Sequence, residues 1–175
     1  LAAAYYRHPV IHFCVNGAIA ELGLIRAAED GDEDSRREFC DEAARLRDLL
    51  KFEFFFADKE IWRNELRQEL SPHDAEWEAR LEVGPHAIED FLPDLRPFHA
   101  HRILRPFLEA YRVVADELAR RDPKEPVDQA AFPKACLALG RQYVLQHHLR
   151  SAESVSQVLF ANALRLARNR GLLAA

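Results

Sequence analysis

Residues 9–25 read Pro9-Val10-Ile11-His12-Phe13-Cys14-Val15-Asn16-Gly17-Ala18-Ile19-Ala20-Glu21-Leu22-Gly23-Leu24-Ile25. Ile11, Val15, Ala18, Ile19, Leu22 and Ile25 recur at the three-and-four spacing that gathers side chains on one face of an α-helix. Proline has a fixed φ and no N–H to donate, which suits the first helical position, so the helix is expected to open at Pro9. His8, His12 and Asn16 form a polar line at spacing four. The apolar run is shorter than the ~20 residues a bilayer span requires, and His12, Asn16 and Glu21 make it too polar for one.

The same period continues outward, and no alternating strand pattern competes with it. After an acidic loop at Glu29–Glu33, a second helix is expected from about Asp34 to Phe56, with Phe39, Ala43, Leu46, Leu49 and Leu50 as its buried stripe. Phe52, Phe54, Phe55 and Phe56 then read as the end of that helix packing into the core, since phenylalanine is ordinarily interior. The other reading of this block is a lipid or acyl-chain contact. Asp58 is the expected cap of a third helix stopped by Ser71-Pro72. Residues 73–85 fit either a short helix or a loop carrying Trp77 and Leu81. Arg96-Pro97-Phe98 and Arg105-Pro106-Phe107 repeat nine residues apart. Pro97 is expected to open a helix, and Pro106 to kink it or mark a fresh start. A turn-rich linker at Asp122–Pro126 precedes helices over 128–149 and 152–170, the last capped by Gly171. The sum is an all-α chain, a compact bundle of about six helices with a kink at Pro106, forming one domain over 1–175.

Composition narrows the function. The 175 residues are 49% hydrophobic and 30% charged, enough for a globular core without disulfides or metals. Net charge is −5, which argues against a nucleic-acid partner. Charge is uneven: Glu29–Asp48 is acidic, whereas the end from Lys134 is basic, and both read first as solvated helix faces. Cys14, Cys40 and Cys136 are far apart and lack any C-x-x-C spacing, as expected of reduced core thiols. No secretory leader pattern is present. The chain starts at Leu1 and contains no methionine, so a segment of a longer protein is expected.

Catalytic patterns are sparse. His8 and His12 have the i,i+4 spacing that can place two imidazoles on one metal ion, but no third ligand and no His-Glu-x-x-His accompany them. A cap at His8 and a hydrogen-bonded, half-buried His12 are the favoured reading of the pair. His147-His148 falls near a helix C-terminus, where the dipole favours imidazolium. No G-x-S-x-G elbow, P-loop or G-x-G-x-x-G occurs, and no cofactor is expected. Tyr5-Tyr6-Arg7 reads as an interdomain contact strip.

Three segments carry a resemblance. Tyr5-Tyr6-Arg7-His8-Pro9-Val10-Ile11-His12-Phe13 is similar to the Tyr-Tyr-Arg-Asn-Asn-(Ile/Val)-(Ile/Leu)-His pattern that follows the catalytic domain of bacterial glycerol-3-phosphate acyltransferases, with His8 where asparagine is usual. Leu49-Leu50-Lys51-Phe52-Glu53-Phe54-Phe55-Phe56 resembles that family's Leu-Leu-Lys-x-Glu-Phe block. Leu159-Phe160-Ala161 through Arg170-Gly171-Leu172-Leu173 is similar to its last helix. The order is the family's, and 20 arginines against four lysines look actinobacterial.

The resemblance implies a carboxy-terminal region of an enzyme that passes an acyl group from acyl-CoA or acyl carrier protein to the 1-hydroxyl of glycerol 3-phosphate, at the cytoplasmic face of the membrane. That family's signature is a histidine with aspartate five positions later, the imidazole acting as general base. No histidine here has it: His73 and His148 have Glu78 and Glu153 there, outside the family context. Catalytic and substrate-binding residues are therefore expected in a preceding acyltransferase domain. The competing readings are a stand-alone helical lipid-binding or regulatory module, and an enzyme built on a His8/His12 metal centre.

Overall fold

In a computed structural model, α1 (Ala2–Glu29) is the helix around which the first half of the chain is built. The structure describes residues 2–29, 34–122, 126–128 and 130–173, with side chains from residue 11 onward apart from position 12. Helix α1 begins at Ala2, not at Pro9, so the proline lies inside the helix and forfeits one backbone bond there. Val15, Ala18 and Ile19 are buried as their spacing predicts, and Ala20, Leu24 and Ala27 join them because neighbours cover more than one face. Residues 30–33, most of the expected acidic loop, lie outside the described residues.

Asp34 accepts the Arg37 N–H at 2.9 Å and so caps α2 (Ser35–Leu50), whose buried stripe is Phe39, Ala43, Leu46 and Leu50. This stripe packs on α1 at Gly23, where a Cβ would stand 3.0 Å from the Phe39 ring; the missing side chain permits the close approach. Helix α2 stops at Leu50, short of the expected Phe56, and 51–58 form turns and irregular chain. Asp58 precedes α3 (Lys59–Leu70) as expected, although its side chain makes no capping bond. Trp62, Leu66 and Leu70 are the buried face of α3.

Residues 73–85 contain the short α4 (Trp77–Val83), which buries Trp77 and Leu81. Pro85 opens α5 (Pro85–Phe91) at its first position, followed by a 3-10 turn at Leu92–Leu95. Pro97 opens nothing: the next helix, the single-turn α6 (Ala100–Ile103), begins three residues later. Pro106 produces a fresh start rather than a kink. Leu104 is a turn residue, and Pro106 occupies the first turn of α7 (Arg105–Ala119), where its missing N–H costs no helical bond.

By contact density the chain divides into two units, Leu1–Ile103 and Leu104–Ala175. In the second, α7, α8 (Ala131–Leu145) and α9 (Gln157–Asn169) enclose Phe107, Val113, Phe132, Cys136, Leu139, Phe160 and Leu164. Glu109 of α7 accepts the Arg150 N–H at 2.9 Å, the Ser151 N–H at 3.0 Å and the Ser154 hydroxyl at 2.7 Å, fixing the 3-10 turn Ala152–Ser154. In α9, Leu159, Phe160, Ala163, Leu164 and Leu166 are buried, whereas Val158 is 68% exposed. Gly171 ends α9 as expected: its N–H reaches Arg168 O, and the Leu172 N–H reaches Ala167 O. His147, with φ 59°, holds the equivalent position after α8. Among the described residues there are nine α-helices, more than about six, and no strand. The excess comes from prolines and short turns that divide the expected helices.

Candidate functional site

The side chains of Tyr5, Tyr6, Arg7, His8 and His12 lie outside the described residues, so the proposed contact strip and metal pair have no described geometry. Residues 123–125, the middle of the expected linker, lie outside as well. The other histidines are placed. His73 Nδ1 lies 3.2 Å from the Asp94 carbonyl, whereas Glu78 pairs with Arg67 at 2.6 Å, so these two do not form an acid–base couple. His148 packs its ring edge-on against Tyr143 at 5.5 Å. His86 meets Glu89 at 3.1 Å, but its side chain is 98% exposed. Among the described residues no group of three or more His, Cys, Asp or Glu side chains is placed to hold a metal ion.

The prominent concavity of the first unit runs beside α1. A cleft of about 830 Å³ is lined on one side by Phe13, Cys14 and Gly17 and on the other by Leu95, Arg96, Pro97 and Arg102. Its floor is buried Ala18, Leu70 and Ile103. A second groove of about 590 Å³, lined by Phe54, Phe55 and Phe56, shares Phe13, Glu69 and His73 with the first. The two therefore adjoin.

Sequence reasoning placed the phenylalanine block in the core, and the structure corrects that. With α2 finished at Leu50, none of Phe52, Phe54, Phe55 and Phe56 is buried, and Phe55 is 82% exposed. Arg47 holds the loop. Its guanidinium carbon lies 5.6 Å from the Phe56 ring centre and 5.3 Å from that of Trp62, and its terminal nitrogen donates to Ala57 O at 2.8 Å. Trp62 in turn donates to Asn16 at 2.9 Å, and Asn16 donates to Glu65 at 3.0 Å. Asn16, read as part of a polar line, thus ties α1 to α3.

Two acids set the electrostatics. Glu21, buried in α1, accepts the His99 N–H at 2.8 Å and the Ala100 N–H at 3.1 Å, so its carboxylate ties the start of α6 to α1. Glu69 lies against α1, where a Cβ on Gly17 would stand 3.1 Å from its carboxylate. Loss of solvent, and then the nearby Glu65 charge, push the Glu69 carboxyl above its ordinary value, with His73 opposing. The thiols differ from the expected core set: Cys14 and Cys40 are exposed, and only Cys136 is buried.

The described residues form a helical scaffold in which His73 and Glu78 hold separate partners. The chain belongs to the glycerol-3-phosphate acyltransferase C-terminal region family, whose model matches residues 1–175. It is 40% identical over 175 residues to proteins named plsB1, described as candidate acyltransferases, in Mycobacterium bovis and in two strains of Mycobacterium tuberculosis. The match covers 99% of this chain and 28% of each relative, so the chain spans under a third of their length. No solved structure matches it. No helix among the described residues is long and apolar enough to cross a membrane.

Proposed function

We propose that this chain is the non-catalytic, helical carboxy-terminal region of a glycerol-3-phosphate 1-O-acyltransferase, and that all of 1–175 acts as one accessory domain. The chemistry, acyl transfer from acyl-CoA or acyl carrier protein to glycerol 3-phosphate at the cytoplasmic face of the membrane, is carried by an acyltransferase domain preceding it. The whole-length family match carries this reading. It is supported by the lack of aspartate five positions after any histidine, the spacing of the family's general base and its orienting acid. The region's role is to buttress that domain and present it to the lipid surface, with Tyr5, Tyr6 and Arg7 as the contact strip. No nucleic acid and no cofactor take part.

The test is removal. A parent enzyme truncated before Leu1 should keep its acyltransferase residues yet lose thermal stability, membrane recovery or turnover. An unchanged truncated enzyme would refute the supporting role.

A further inference from the structure

The cleft beside α1 is chemically two-ended. At one end stand Arg96 and Arg102, which form no ion pair among the described residues; the Arg96 guanidinium carbon lies 6.0 Å from the Phe98 ring centre. Glu21 also lines that end, with one carboxylate oxygen accepting the His99 and Ala100 N–H groups. At the other end, reached through the shared Phe13, lie Phe54, Phe55 and Phe56. Glu69 lies in the shared middle, where its charge would repel a second anion. From Phe13 to Glu21 the helix rises roughly 12 Å, so the two ends are separated along α1.

We propose that this cleft binds a single-chain amphiphile with an anionic head, the head on Arg96 and Arg102 and the chain along Phe13 toward Phe54–Phe56. Guanidinium forks suit a phosphate or carboxylate, and the apolar floor removes the chain from water. The site is additional to the supporting role and does not depend on it.

Cys14 and Cys40 provide the readout. Cys14 lines the cleft, whereas Cys40 lines a separate apolar slot beside Trp62 and Trp77. The chain is treated with iodoacetamide in dodecyl phosphate below its micelle concentration, and alkylation is followed at each cysteine by peptide mass spectrometry. At ten times the dissociation constant, Cys14 should be modified about elevenfold more slowly, with Cys40 unchanged. Arg96→Gln/Arg102→Gln, which alters two exposed side chains, should raise the required concentration about tenfold or more while the circular dichroism stays the same. Arg102→Gln alone should fall between.

Equal protection by dodecyl maltoside would overturn the anionic head, and equal protection by inorganic phosphate would overturn the apolar chain. Protection only by phosphatidylglycerol vesicles would mean a membrane face instead of a monomer site. Protection of both cysteines, or of neither, would also overturn the proposal.

Discussion

Glu21 accepts the backbone N–H of Ala100 at 3.1 Å, joining the middle of α1 to the start of α6 across 79 positions of sequence. The same oxygen takes the His99 N–H at 2.8 Å. Glu21→Leu would leave these donors unpaired, one of them in a buried setting, at a cost of about 1–3 kcal/mol. Urea unfolding should show a lower midpoint with an unchanged slope. Glu21→Gln, which keeps an acceptor oxygen, should lose less.

Arg47 is the pin of the phenylalanine loop. Arg47→Leu removes two ring contacts and the bond to Ala57 O, and should cost about 1–2 kcal/mol. Proteolysis should then cut first within 52–58. Arg47→Lys keeps the charge but not the planar fork, and should recover only part of the loss.

The thiols should separate by environment. Burial pushes the Cys136 thiol up to about 12 and raises that of Cys40 more modestly. A thiolate reagent at neutral pH should therefore modify Cys14 and Cys40 in the native chain, and Cys136 only on unfolding. Native titration of Cys136 would contradict its place in the core.

Glu69 yields a pH dependence whose sign follows from its raised carboxyl. The folded chain holds this proton more tightly than the unfolded one, so the stabilisation is complete below the ordinary glutamate value, about 4.3, and is lost as pH rises through the folded value. Glu69→Gln should accordingly raise Tm at pH 7, and the gain should vanish below about pH 4. A gain that persisted at low pH would point to packing rather than charge.

Helix identity was legible where a single apolar stripe recurs at helical spacing. In α2, Phe39, Ala43, Leu46 and Leu50 are buried as their spacing predicts. Proline was harder to read, because the residue that ends one helix serves equally at the start of the next: Pro85 opens α5, and Pro106 restarts the chain as α7. The phenylalanine block was misread because hydrophobicity reports the preference for burial, not whether a neighbour is present to provide it. The cleft was illegible for another reason. It joins Phe13 to Arg102 through elements that are distant in sequence, and no spacing rule connects them.

The central claim is tested most directly by assaying the 175-residue chain alone for acyl transfer from palmitoyl-CoA to glycerol 3-phosphate, beside an intact parent enzyme. The account predicts turnover by the parent and none above the buffer blank from the chain. Acyl transfer by the isolated chain would contradict it.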